Sequence, residues 1–310
     1  MPETLQFRLR GAGGEPVDLR RTFTSHGVAS LPPMELLESD TILAATLPVG
    51  RGARTVQVTN GRKGYGRIVV SGRQVGPKIA DELTAKVGHV LRLDEDLSEF
   101  YELAASDPDL AWVASGAGRM IRSASVFEEV VKTICTTNCT WSATVRMVSA
   151  LVEHLGPRAP GAPVEGWAGR AFPTPQTMAE AGDDFYKETV RAGYRGAYLR
   201  GVAELVTTGA IDLESWGSAS REELVDDELE AALLALPGVG PYAAAHIMMM
   251  LGRYSRLILD SWTRPTYARL VGRKKVADSS IVKRFKRYGP YAGLAFWLVL
   301  TRSWVADEQI

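Results

Sequence analysis

The chemistry of this chain centres on Leu236-Pro237-Gly238-Val239-Gly240-Pro241-Tyr242 and on a carboxylate, Asp260, eighteen residues after Tyr242. The first stretch separates two helical patterns, residues 222–234 and the Ala- and Met-rich residues 243–251. Glycines at 238 and 240, either side of Val239, let a short turn bring backbone N–H groups and a helix N-terminus to one point. That geometry suits a phosphate oxygen. The apolar run Leu257-Ile258-Leu259 then delivers Asp260, the only acidic residue between Glu230 and Asp278. A carboxylate held there can stabilise developing positive charge and orient or deprotonate a water. Residues 253–287 carry eleven Lys/Arg against two Asp, a stripe suited to a phosphate backbone. Without the carboxylate, the same turn reads as a plain connection between helices and the stripe as a solvated surface.

The elements that must position these residues follow from the rest of the chain. Its 310 residues suffice for two or three domains, and 36 basic residues balance 36 acidic ones, so no global charge points to nucleic acid. Two cysteines exclude a disulfide framework and a four-Cys iron–sulfur cluster. Cys135 and Cys139 read as reduced thiols rather than a metal pair, and no metal or cofactor is expected. The first residues are unlike a signal peptide and no apolar run reaches about 18 residues, so a cytoplasmic protein is expected.

Residues 1–95 read as an antiparallel β domain. Leu5, Phe7 and Leu9 alternate with polar residues, and residues 55–59 and 67–70 flank Asn60-Gly61 as a hairpin. A short helix over 77–87 and a closing strand over 90–93 complete it. Residues 96–310 read as helical. Asp96 can cap a helix over 97–105, residues 125–155 hold two helices broken at Thr136-Thr137-Asn138-Cys139-Thr140, and 156–175 form a Pro/Gly-rich loop. The fold class is therefore α+β.

The hairpin and its Asp spacing resemble the helix-hairpin-helix DNA glycosylases, and several segments resemble their 8-oxoguanine and 3-methyladenine II branch. These are Ile134-Cys135-Thr136-Thr137-Asn138, Gly193-Tyr194-Arg195, Tyr288-Gly289-Pro290-Tyr291-Ala292-Gly293 and, more loosely, Asp18 to Gly27. The resemblance implies an N-terminal antiparallel sheet followed by a helical domain with a cleft between its subdomains. It implies a monomer acting on double-stranded DNA that contains a damaged base. It also implies that Asp260 is catalytic, that Gly238, Val239 and Gly240 grip the backbone, and that Asn138 fills the hole left by the flipped nucleotide. Tyr194 is then the wedge, Arg195 the residue for the orphaned base, and the segment holding His26 reaches the base pocket.

A base inside a duplex is out of reach, so such an enzyme must extrude it. Breaking an N-glycosidic bond builds positive charge on the sugar, which a carboxylate beside C1′ stabilises. Relatives that also cut the strand place a lysine at position 242; here it is Tyr242, and no lysine occurs between Lys187 and Lys274. A monofunctional glycosylase using water is expected. Departures from the 8-oxoguanine branch point to an aromatic base pocket: Phe296 in place of a Gln, Leu300 of a Phe, His246 of a Cys, Trp262 of a His, and Ala143 of an Arg. Aromatic walls suit a cationic, electron-poor base, so an alkylated purine is the expected substrate. The alternatives are an oxidised purine read by His26 and His246, a bulky modified base, or a DNA-binding protein without catalysis. Core packing competes as the role of Trp262, Phe296 and Trp297.

Overall fold

The computed structural model describes residues 3–304. Five strands, β1 (Glu3–Arg8), β2 (Met34–Leu37), β3 (Ile42–Val49), β4 (Gly52–Asn60) and β5 (Tyr65–Val70), form one antiparallel sheet of order β1-β5-β4-β3-β2. Register is fixed by side chains as well as by the ladder. Phe7 lies opposite Gly66, and a Cβ at 66 would come within 2.2 Å of the Phe7 ring. The expected hairpin is β4–β5, with a loop over residues 61–64.

Thirteen α-helices accompany the sheet among the described residues: α1 (Leu19–Phe23), α2 (Pro77–Val90), α3 (Ser98–Ala105), α4 (Val126–Thr136), α5 (Trp141–Leu155), α6 (Pro175–Glu180), α7 (Arg195–Thr207), α8 (Leu213–Ser218), α9 (Asp226–Leu234), α10 (Pro241–Met250), α11 (Thr263–Leu270), α12 (Asp278–Phe285) and α13 (Ala292–Thr301). The fold class is α+β. The closing strand expected over 90–93 does not form. Apolar residues at 83, 87, 90 and 91 continue the helical spacing, α2 runs to Val90, and Leu91 N–H bonds the Val87 carbonyl. Asp96 does serve α3, accepting from the Ser98 amide at 2.9 Å.

Three large hydrophobic clusters define the body among the described residues. The sheet packs on α1 and α2 through Phe23, Val56, Ile68, Leu83 and Val87, and takes in Ile121 from beyond residue 95. The second cluster joins α4, α5, α7 and α9 through Val131, Ile134, Leu151, Leu199 and Leu229. The third joins α3 to α12 and α13 through Phe100, Phe285, Phe296 and Leu298. α10 is apolar apart from Tyr242 and His246 and belongs to both helical clusters: Ala244 and Ile247 face the second, Ala245 and Met249 the third. A cleft opens where these clusters meet. Buried Arg92 ties the sheet unit to α10, donating to the carbonyls of Met120 and Met250 and pairing with Glu95 at 3.0 Å.

Candidate active site

The Gly turn joins α9 to α10. Gly238 has φ of +79°, and a Cβ there would lie 2.6 Å from Tyr198, so conformation and space both demand glycine. Val239 N–H is occupied by the Leu236 carbonyl at 3.2 Å. The Gly238 and Gly240 amides have no partner among the described residues, and α10 starts with no side-chain cap. Part of the expected phosphate grip is therefore free, although Val239 contributes no amide to it.

Asp260 sits at the N-terminus of α11. Its Oδ1 accepts from the amides of Trp262 at 2.8 Å and Thr263 at 2.6 Å. In return Thr263 Oγ1 accepts from Asp260 N–H at 2.8 Å. This reciprocal cap fixes the carboxylate and leaves Oδ2 without a hydrogen bond among the described residues. Asp260 lines a cleft of about 920 Å³ together with His26, Asn138, Tyr242, His246 and Trp262. The long-range folding thus brings together these six residues from four places in the sequence.

The walls divide by polarity. Trp262, Trp297 and Trp304 form a cluster with ring centroids 5.5–5.8 Å apart. Trp262 and Trp304 are partly exposed, whereas Trp297 is buried and donates to the Ser25 carbonyl at 2.9 Å. His26 and His246 meet Nε2 to Nε2 at 2.9 Å. His26 Nδ1 accepts from Val28 N–H, so its proton is on Nε2 and points at His246. His246 is then protonated on Nδ1, toward Thr133 Oγ1 at 3.0 Å. Burial keeps both rings neutral: it holds His26 well below the usual range, with His246 adding to the effect, and depresses His246 to about 4. Tyr242 hydroxyl lies 3.3 Å from Thr136 Oγ1, and burial raises its pKa.

Two expected placements are corrected. Phe296 is fully buried among Phe285 and Tyr267 and lines no part of the cleft. One residue along the helix, Trp297 takes the wall position; the 100° step between neighbours on α13 separates the two faces. Leu300 is core as well. Arg195 is buried, and its guanidinium donates to the carbonyls of Thr137, Asn138 and Ala192. It braces the turn after α4 instead of offering its fork to an orphaned base. That turn presents Asn138 at φ +47°, with its side-chain amide 3.4 Å from the hydroxyl of Tyr194, which is half exposed.

The sequence reading missed Glu129, Lys132, Trp141 and Trp304 on the cleft wall. Glu129 and Lys132 carry a visible signal, since they interrupt the apolar face of α4 and are buried nevertheless. The basic stripe is thinner than its count. Arg253, Arg256, Arg264, Arg284 and Arg287 are ion-paired. Arg269, Arg273, Lys274, Lys275, Lys283 and Lys286 are exposed and form no ion pair among the described residues.

The N-terminal antiparallel sheet followed by a helical body parted by a cleft is a fold shared with solved DNA glycosylases. A 3-methyladenine DNA glycosylase from Archaeoglobus fulgidus superposes with TM-score 0.69 at 19% identity, over 98% of this chain and 99% of that one. An 8-oxoguanine glycosylase/lyase from Clostridium acetobutylicum superposes with TM-score 0.72 at 19% identity, over 97% and 98%. In sequence, the chain is 25% identical over 242 residues to the N-glycosylase/DNA lyase OGG1 of Arabidopsis thaliana, covering 71% of this chain and 62% of that relative's length. No family model matches the chain. No helix among the described residues is long and apolar enough to cross a membrane.

Proposed function

We propose that the protein is a base-excision-repair DNA glycosylase that flips an alkylated purine from duplex DNA and hydrolyses its N-glycosidic bond without cutting the strand. The observation that carries this is Asp260: a carboxylate locked at a helix N-terminus, with one oxygen left for chemistry, beside an aromatic-walled cleft and the Gly turn. Oδ2 stabilises the cationic sugar and positions the attacking water. Trp262 and Trp304 stack on an electron-poor base. The unpaired Lys/Arg and the turn amides hold phosphates, while Asn138 and Tyr194 occupy the gap.

The neutral histidine pair disfavours the oxidised-purine reading, because each Nε2 is already satisfied by the other ring. Tyr242 supplies no amine for a covalent sugar adduct. Lys132 lines the cleft but is held against Glu128 in a buried ion pair.

Base release from end-labelled duplexes tests the reading, with 3-methyladenine, 7-methylguanine, hypoxanthine, 1,N⁶-ethenoadenine, uracil and 8-oxoguanine as targets. Breaks that need hot alkali, with release lowered at least about 100-fold in Asp260→Asn, are expected. Breaks without alkali that are trapped by borohydride and lost in Lys132→Met would replace the hydrolytic step by an amine. Tight binding with no release from any target would leave a DNA-binding protein.

A further inference from the structure

The inner end of the cleft holds charged side chains that the hydrolysis does not use. Glu128, Glu129 and Lys132 of α4 are each 2% exposed. Lys132 Nζ lies 2.6 Å from Glu128 Oε1, so those two charges answer each other. Glu129 is left over. Its Oε1 accepts from the Ser123 amide, and its Oε2 is buried with no hydrogen-bond partner among the described residues. Glu129 and Lys132 both line the cleft that holds Asp260. The other basic groups lining the cleft add no free cation: His26 and His246 are neutral, and Arg264 is paired with Asp278. This buried group of three therefore carries one carboxyl more than its single ammonium can match.

A buried carboxylate with an unfilled oxygen is unfavourable unless it takes a proton or a cationic partner. In the empty cleft burial favours the neutral acid: it pushes the Glu129 carboxyl up, against the pull of Lys132 and the Ser123 amide. We propose that Glu129 is a specificity-determining residue of the base pocket, its free Oε2 pairing with a flipped purine that bears a positive charge, as a ring-alkylated purine does. The proposal rests on the base-pocket reading of the cleft. The tryptophan cluster meets the face of such a base and Glu129 meets its charge, while a neutral purine of the same shape gains the stacking alone. When the cationic base enters, the acid becomes a carboxylate and its proton passes to solvent; a neutral base releases none.

The test is equilibrium binding by the full chain carrying Asp260→Asn, to duplexes with 7-methylguanine, hypoxanthine or no lesion. Adding Glu129→Gln keeps an oxygen for the Ser123 amide and removes the charge. The preference for 7-methylguanine over hypoxanthine should fall about 10-fold, with hypoxanthine and undamaged duplex bound within about twofold of the parent. Calorimetry in buffers of different ionisation enthalpy should show proton release with 7-methylguanine and none after Glu129→Gln. Equal weakening toward both lesions, or an unchanged preference, would overturn the proposal. Undamaged-duplex affinity and Tm report folding. Should the Gln variant not fold, Glu129→Asp draws the carboxyl back by one methylene and should lower the preference in the same direction; full retention there overturns the role equally. Failure of the enzymatic reading shows separately, as absence of base release by the chain with Asp260 intact, while the Glu129-dependent preference is still read by binding.

Discussion

Replacing Arg195 separates two roles that its position in the sequence leaves open. In the structure its guanidinium makes four hydrogen bonds to the carbonyls of Thr137, Asn138 and Ala192, and its Cζ lies 4.6 Å from the centre of the Tyr194 ring. Hydrogen bonds to a charged group contribute about 1.5–3 kcal/mol each, and stranding a buried carbonyl costs about 1–3 kcal/mol. These terms do not add, because three of the four bonds end on neighbouring carbonyls that regain water once the side chain is gone. Arg195→Ala should therefore destabilise the protein by roughly 3 kcal/mol, near the upper end for a single substitution. At about 2 °C per kcal/mol for a chain this long, Tm should fall by about 6 °C. Arg195→Lys should recover little, since one ammonium cannot reproduce the planar fork. Calorimetric melting gives the first readout. The second is excision with each of the four bases opposite the lesion, where both variants should lower activity evenly. A Tm within about 1 °C of wild type, together with a changed opposite-base preference, would show that Arg195 reads the orphaned base and that its carbonyl contacts are incidental.

Three further outcomes follow from the same geometry. His246 is buried neutral with its pKa depressed to about 4, so the unfolded chain takes up a proton on this ring as pH falls below its ordinary 6.5, while the folded chain resists until about 4. Stability should be complete above 6.5 and be lost progressively toward 4, by at most about 1.4 kcal/mol per pH unit from this residue, and a Tm–pH slope unchanged by His246→Gln would refute the assignment. Gly238→Ala should weaken binding of undamaged and damaged duplex alike and lower stability by more than about 1 kcal/mol, because φ is +79° and Tyr198 blocks the Cβ; wild-type affinity would show that the turn does not touch DNA. Binding should weaken with salt along a log–log slope no steeper than about −5, from the six unpaired cations, and Lys274→Ala should make the slope shallower by about one; an unchanged slope places the phosphates elsewhere.

Much of this protein is legible in the chain itself, because the signals are local. Alternation set the sheet class, the Thr/Asn/Cys break set the α4–α5 boundary, and two glycines either side of Val239 marked the hairpin. Asp260 stood out because it is a lone carboxylate after an apolar run, and its capping residue, Thr263, lies only three positions on. Locality fails where a side chain's partner is distant. Periodicity alone could not tell that α2 would absorb Val90, because a short apolar run fits a strand and a helix end equally. Phe296 and Trp297 differ by one residue, and only the packing of α13 against α11 and α12 decided which faces the core and which the cleft. Arg195 carried a sequence context that suggested DNA, yet the carbonyls at the end of α4, fifty-eight positions away from it at Thr137, claimed its donors first. Glu129 and Lys132 lay in plain view on an apolar helix, but the burial that leaves one carboxyl unmatched beside Asp260 exists only once four separate segments close around the cleft. The sequence set which local structures were available and which residues could do chemistry. The tertiary structure decided which of those residues meet, since burial and partner competition are properties of contacts made across the whole chain.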